Sequence, residues 1–131
     1  MVFVDSNVPM YVAGRDHPLR EPARRFLERA RTGHVEICTS TEVLQEILYR
    51  YSALKRRDLA VAVYDLFVQL CPVVFPVTLA DTDRAKSLLS DRISVRDAMH
   101  AAVMFDNAVV EIATFDEGFD AIEGVTRVPL A

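Results

Sequence analysis

The chain has 131 residues and a mass of 14.7 kDa, and its 51% hydrophobic and 26% charged residues are typical of one globular domain over residues 1–131 rather than of a disordered segment. No apolar run approaches the ~18 residues of a membrane-spanning helix. The sequence opens on Val2-Phe3-Val4-Asp5 without a basic segment, which argues against a signal peptide. Cys38 and Cys71 form no zinc pattern and are expected to be buried free thiols. These features predict a cytoplasmic protein without a membrane anchor.

The formal net charge of −4 is unevenly distributed. Residues 1–57 hold 10 of the 15 Lys and Arg residues but only 7 of the 19 Asp and Glu residues. The basic residues cluster in two stretches, 15–31 and 50–57. Each stretch is either the solvated face of a helix or a patch that meets the phosphates of a nucleic acid.

Patterns typical of strands and helices alternate along the chain. In chain order they predict a strand at 1–4, a helix at 22–32, a strand at 35–39, helices at 41–54 and 58–70, a strand at 73–77, helices at 79–89 and 94–105, and strands at 109–114 and 125–128. This alternation predicts a three-layer α/β/α domain with a mostly parallel sheet of about five strands.

Two acidic residues follow predicted strands. Asp5 ends the first strand, and Asp116 comes two residues after strand 109–114. Each alone is a common turn or helix-capping residue. However, the carboxyl ends of parallel strands are where such sheets bind ligands. Carboxylates brought together there repel each other unless a cation such as Mg²⁺ neutralises them, so the pair indicates a metal site.

A third acid is expected from helix 41–54. Glu46 lies just beyond the edge of the apolar stripe of that helix, whereas Glu42 lies almost opposite the stripe and fits a capping box that starts at Thr39. Glu46 is therefore the better candidate for a partly buried ligand. Its alternative role is a salt bridge to Arg50, one helical turn later.

A fourth acid, Asp97, stands in the first turn of helix 94–105. It either pairs with Ser94 as a cap or joins the metal site, and the helix dipole favours its ionised form in both cases. His100 lies one turn later and is expected to be a buried histidine that supports the site rather than a ligand.

Four segments occur in an order and spacing that resemble the PIN-domain family, and most closely the VapC-type toxins of toxin–antitoxin pairs. They are Asp5-Ser6-Asn7, residues 43–47 around Glu46, residues 96–102 beginning with Arg96-Asp97, and residues 114–120 beginning with Thr114-Phe115-Asp116. The resemblance implies a Mg²⁺- or Mn²⁺-dependent endoribonuclease that forms a homodimer and has a VapB-type antitoxin as partner. The alternative is a catalytically silent PIN-like module that binds nucleic acid or a partner.

The resemblance also implies roles for individual residues. The catalytic and metal-binding acids would be Asp5, Glu46, Asp97 and Asp116, supported by Asn7, Thr114 and Asp120. Whether Asp116 or Asp120 lies nearer to the metal stays open at this point.

Arg96 and Arg50 are candidates for binding the substrate phosphate, because each is close in sequence to a proposed acid. Each could instead balance the charge of the acids. We predict the phosphate role for Arg96 and the balancing role for Arg50, since Glu46 and Arg50 have the spacing of a helical ion pair.

Helix 58–70 is apolar on nearly every side, so it is either fully buried or part of an interface. We predict that it and helix 41–54 form much of the surface used by the antitoxin, with the homodimer contact formed elsewhere or partly here.

Overall fold

The computed structural model describes residues 1–130, and its core is a single five-stranded sheet. The strands are β1 (Val2–Val4), β2 (Ile37–Ser40), β3 (Val73–Phe75), β4 (Glu111–Ala113) and β5 (Thr126–Arg127). Their order across the sheet is β3-β2-β1-β4-β5, and every adjacent pair is parallel.

Within residues 1–130, six α-helices connect these strands. They are α1 (Asn7–Ala13), α2 (Arg20–Arg31), α3 (Thr41–Ala53), α4 (Arg57–Leu70), α5 (Leu79–Leu88) and α6 (Val95–Asp106). The helix α1 packs against α2 and α4, α3 packs against α4, and α5 packs against α6. The α/β fold with a parallel sheet of five strands, expected from the sequence, is confirmed.

Two elements have no counterpart among the predicted ones. The helix α1 has only seven residues and includes Pro9, and a 3₁₀ helix spans Glu117–Ala121. Proline is tolerated in a first helical turn, because the N–H groups there have no partner within the helix. Both elements are too short to show a helical repeat of apolar residues, so periodicity does not reveal them.

The strand β1 and the helix α6 are both largely buried: β1 is buried throughout, and α6 buries seven residues. All three residues of β1 are buried, as expected for a central parallel strand covered on both faces. In α6, the side chains of Ala98, Ala101 and Ala102 are completely buried. Small side chains allow this helix to pack close to its neighbours, which fixes the position of its first turn.

Cys38 and Cys71 are both free and buried, as predicted. Burial raises the pKa of the Cys38 thiol to about 11 and that of Cys71 to about 12, so both thiols stay protonated at neutral pH.

The helix α4 is buried on one face only. Val63 and Phe67 face the core, whereas the side chain of Leu66 is 67% exposed. The alternative that residues 58–70 are fully buried is therefore wrong, and an apolar surface remains on this helix. No helix within residues 1–130 is both long enough and apolar enough to cross a membrane.

The start of α3 differs from the sequence-based interpretation. Ser40 caps the helix, since its Oγ accepts a hydrogen bond from the N–H of Val43 at 3.4 Å. The capping box expected between Thr39 and Glu42 is wrong, because Thr39 lies in β2 and its Oγ1 donates to the carbonyl oxygen of Val4 at 3.0 Å.

Replacing Ser40 with Ala is expected to lower the free energy of unfolding by about 1 kcal/mol, because an N–H at the start of α3 loses its partner. Urea denaturation followed by circular dichroism measures the change. The control is Glu42→Ala, which removes a first-turn carboxylate but no cap. A larger loss in Glu42→Ala than in Ser40→Ala would contradict this description of the helix start.

Candidate active site

The sheet changes direction between β1 and β4. From β1 the chain continues outward through β2 and β3, whereas β4 is followed by β5 on the opposite side. Such a point leaves a crevice at the carboxyl ends of the strands, where open α/β sheets bind ligands. Asp5 follows β1 at this crevice, and Thr114 and Asp116 follow β4.

The other two predicted acids reach the crevice from helices. Glu46 lies in the second turn of α3, and Asp97 lies in the first turn of α6, where its N–H donates to Ser94 Oγ at 3.1 Å. Asp5 is completely buried, and Glu46 and Asp97 are also buried. The fold thus brings together four carboxylates that span 112 positions of sequence.

Arg96 contacts all four of these carboxylates. Its Nη2 donates to Asp5 Oδ1 at 2.5 Å and its Nε to Glu46 Oε2 at 2.7 Å. Its Nη1 donates to Asp97 Oδ1 at 3.0 Å and to Asp116 Oδ2 at 3.4 Å. A guanidinium can do this because it carries five donors in one plane. The structure therefore gives Arg96 the charge-balancing contacts that the sequence assigned to Arg50.

Arg50 is exposed, and the helical ion pair expected between it and Glu46 is not formed within residues 1–130. The reason is that the oxygens of Glu46 have other partners. One accepts from Arg96, and the other is 2.6 Å from the Nε2 of His100. Arg50 instead lines the opening next to Glu46 and Arg96, where it can meet an approaching anion.

Asp5 is held in place by neighbours from both strands. Thr114 Oγ1 donates to Asp5 Oδ2 at 2.8 Å, and the N–H of Ser6 donates to Asp5 Oδ1 at 2.7 Å. Asn7 Nδ2 donates to Thr114 Oγ1 at 3.1 Å and contacts Asp5 Oδ2 at 3.4 Å. Asn7 and Thr114 thus lie where supporting residues were expected.

His100 lies behind Glu46 and is completely buried. Its ring is stacked near Phe119, with 6.3 Å between ring centroids, and its Nε2 faces the carboxylates. Because a carboxylate accepts hydrogen bonds, Nε2 carries a proton and donates to Glu46. His100 therefore orients Glu46 in this structure, which agrees with the supporting position expected for it.

The surroundings of Glu46 lower its pKa, whereas those of Asp97 raise its pKa. Burial alone would raise the pKa of Glu46, but hydrogen bonds and positive charge from His100 and Arg96 lower it to about 2. Burial also raises the pKa of Asp97, and the nearby charge of Asp116 adds to this increase, which Arg96 only partly offsets. Glu46 is thus stabilised as an anion, whereas the ionised form of Asp97 is destabilised by its surroundings.

Asp116 and Asp120 are clearly distinguished by the structure. Asp116 contacts Arg96 and caps the 3₁₀ helix by accepting from the N–H of Gly118 at 2.8 Å. Asp120 points away into a two-bond pair with Arg127, with both distances 2.9 Å. Asp116 is therefore the acid that lies with the other three.

The donor set fits a hard divalent cation. Oxygens of Asp5 and Glu46 lie within 4.8 Å of each other, and those of Asp97 and Asp116 contact the same guanidinium of Arg96. His100, whose Nε2 donates to Glu46, supports these oxygens and adds no ligand atom. Mg²⁺ and Mn²⁺ prefer carboxylate oxygens, and clustered carboxylates require positive charge nearby.

Sequence reasoning missed Gly118. A Cβ placed on this residue would lie 2.7 Å from Asp97 Oδ2 and 3.0 Å from Asp116 Oδ1, so any side chain here would displace both acids. The available signal was its position two residues after Asp116, at the start of the 3₁₀ helix.

Comparison with known proteins agrees with this geometry. The PIN domain family matches residues 2–125 of the chain. Ribonuclease VapC13 of Mycobacterium tuberculosis is 39% identical over 130 residues, which cover 98% of this chain and 99% of the relative. Ribonuclease VapC23 of the same species is 39% identical over 118 residues, 88% of this chain and 93% of the relative. The chain therefore belongs to the PIN-domain family, among the VapC ribonucleases.

Solved structures support the same fold. Mycobacterium tuberculosis VapC20, described as a sarcin–ricin loop cleaving toxin, has a TM-score of 0.75 at 23% identity, covering 92% of this chain and 94% of the other. VapBC2 of Rickettsia felis, bound to a DNA fragment from its promoter, has a TM-score of 0.75 at 19% identity, covering 98% of both chains.

Replacing Gly118 with Ala is expected to lower affinity for Mg²⁺ or Mn²⁺ by roughly 10–100-fold, because the new methyl group displaces two carboxylates. Isothermal titration calorimetry measures the affinity, and circular dichroism confirms that the fold is kept. The control is Asp120→Asn, which removes a charge outside the cluster and is expected to change affinity little. Unchanged affinity in Gly118→Ala would contradict a metal position beside Asp97 and Asp116.

Proposed function

We propose that this protein is a metal-dependent endoribonuclease, built as one PIN domain, that acts in the cytoplasm as the toxin of a toxin–antitoxin pair. The observation that carries the proposal is the convergence of four carboxylates at the carboxyl ends of β1 and β4. It is supported by 39% identity to ribonucleases over nearly the whole chain.

The proposed cofactor is Mg²⁺, with Mn²⁺ as a chemically similar substitute, held by Asp5, Glu46, Asp97 and Asp116. A cation bound there would activate water and stabilise the negative charge that builds up on the phosphate during hydrolysis. The chain contributes by fixing the ligands beforehand. Asp5 is positioned by Thr114, and Glu46 is kept ionised by its neighbours.

Arg96 is proposed to have two roles in turn. In the metal-free protein its guanidinium neutralises the four carboxylates. If these oxygens held a cation, the guanidinium would be free to contact the substrate phosphate. Arg50 lines the adjoining opening and supplies a second positive charge to the phosphate chain.

The proposed partners are a VapB-type antitoxin and a second copy of the chain, in addition to the RNA substrate. Exposed apolar side chains on α4 and at the end of α3 support an interface. They are Leu54, Val61 and Leu66, each more than half exposed. A solved structure of the same fold is described as a toxin–antitoxin complex from Klebsiella pneumoniae.

Replacing Asp97 with Asn is expected to abolish RNA cleavage and to raise the melting temperature of the metal-free protein by a few degrees. The variant loses a ligand, but it also loses a carboxylate whose ionised form is disfavoured by burial and by Asp116. Cleavage of total RNA with sequencing of the new ends measures activity, and calorimetry in EDTA measures stability. Full cleavage by this variant would contradict the proposed site.

Replacing Arg96 with Ala is expected to lower the melting temperature in EDTA, to tighten Mg²⁺ binding several-fold, and to reduce kcat/KM by roughly 10–100-fold. The first two effects follow from the loss of the counter-ion, and the third from the loss of a phosphate contact. Calorimetric titration and single-substrate kinetics separate them. Arg50→Ala is the comparison variant, expected to lower kcat/KM with metal affinity unchanged. Unchanged metal affinity in Arg96→Ala would contradict the counter-ion role.

A further inference from the structure

A cavity of about 340 Å³ is lined in part by Asn7, whose side chain contacts Asp5. Its lining includes Asn7 and Tyr11 from α1, Arg15 and His17 from the segment after α1, and Arg50 from α3. Two of these residues have roles proposed above, but the cavity itself has none.

Asn7 separates the cavity from the carboxylates. Its Nδ2 contacts Asp5 and Thr114, and its Oδ1 accepts from the N–H of Phe115 at 3.3 Å. With three partners its side chain is fixed. A group bound in the cavity would therefore lie only one side chain away from the place where the phosphodiester is cut.

The cavity contains a surface of two aromatic rings. The rings of Tyr11 and His17 pack against each other, with 4.8 Å between their centroids and 33° between their planes. Phe115 makes a perpendicular contact with Tyr11, at 5.4 Å and 89°. His17 Nδ1 accepts from the N–H of Leu19 at 3.1 Å, which holds its ring in place. Aromatic faces of this kind are the surfaces on which proteins stack unpaired bases of RNA.

Positive charge connects the cavity with the carboxylates. Arg15 and Arg50 are both exposed, and neither forms an ion pair within residues 1–130. Arg50 lines this cavity and also the opening next to Glu46 and Arg96. A chain of phosphates that runs from the carboxylates to the cavity would thus meet unpaired guanidinium groups along its path.

We propose that this cavity binds the base of the nucleotide next to the scissile phosphodiester, in an unpaired segment of the RNA substrate. The base stacks on the exposed ring of His17, which packs against Tyr11, Arg50 contacts the phosphate that links the base to the carboxylates, and Arg15 contacts the next phosphate outward. The inference rests on the proposed ribonuclease function for the position of the cut, but base binding itself can be measured without cleavage.

The test is fluorescence anisotropy in EDTA with four labelled RNA hexamers, one of each base, and a hexamer of the same backbone without bases. The wild type is expected to bind at least one base-containing hexamer about 10-fold or more tightly than the abasic one, as stacking on aromatic side chains requires. Tyr11→Leu is expected to remove most of that difference. Arg15→Ala is expected to weaken binding of all hexamers alike and to reduce its salt dependence.

Two further variants keep the test decisive. His17→Ala changes an exposed residue, so it reports on the aromatic surface even if Tyr11→Leu fails to fold, and it is also expected to reduce the base-dependent difference. Tyr64→Leu, a tyrosine of α4 outside the cavity, is the matched control and is expected to retain the difference.

Equal binding of base-containing and abasic hexamers by the wild type would overturn the inference. So would a full base-dependent difference in both Tyr11→Leu and His17→Ala, or variants that keep RNA binding but lose binding of a co-expressed protein partner. These outcomes differ from failure of the ribonuclease proposal, which would appear as no RNA cleavage by the wild type with Mg²⁺ or Mn²⁺, whatever the anisotropy shows.

Discussion

Four carboxylates share one end of a parallel sheet, and their mutual repulsion must be offset before any protein can hold them there. Arg96 provides most of this offset by contacting all four. Hydrogen-bond donors do the rest, because Thr114 and Ser6 fix Asp5 and His100 fixes Glu46. The arrangement needs positive charge at its centre, and that need would link the stability of the protein to any cation bound there.

Because the four carboxylates need a counter-charge, the residues of the proposed site also affect the stability of the fold. Anything that binds only the folded protein stabilises it, and a divalent cation among these acids would do so. Arg96 already lies among the four carboxylates, so a cation bound to the same oxygens would compete with it. An internal counter-ion of this kind allows the four acids to lie together in the metal-free protein.

Much of the architecture was predictable because it depends on long, simple patterns. The alternating strands and helices gave the parallel α/β sheet, and the positions of Asp5 and Asp116 after strands indicated one edge of that sheet. The role of Arg96 was harder to predict, since the contact of its guanidinium with Asp5 joins residues 91 positions apart. Gly118 was missed for a similar reason, because its closeness to Asp97 exists only in the folded chain.

The pairing of β1 with β4 has a consequence for how the protein becomes active. Val2 pairs with Glu111 and Val4 with Ala113. The strand ends that carry Asp5 and Asp116 are therefore brought together only by a contact between distant parts of the chain. Contacts of high sequence separation form slowly, because the intervening chain must first lose its freedom. During synthesis on the ribosome, the first strand must therefore wait for β4 to emerge, and the carboxylates stay apart for most of that time.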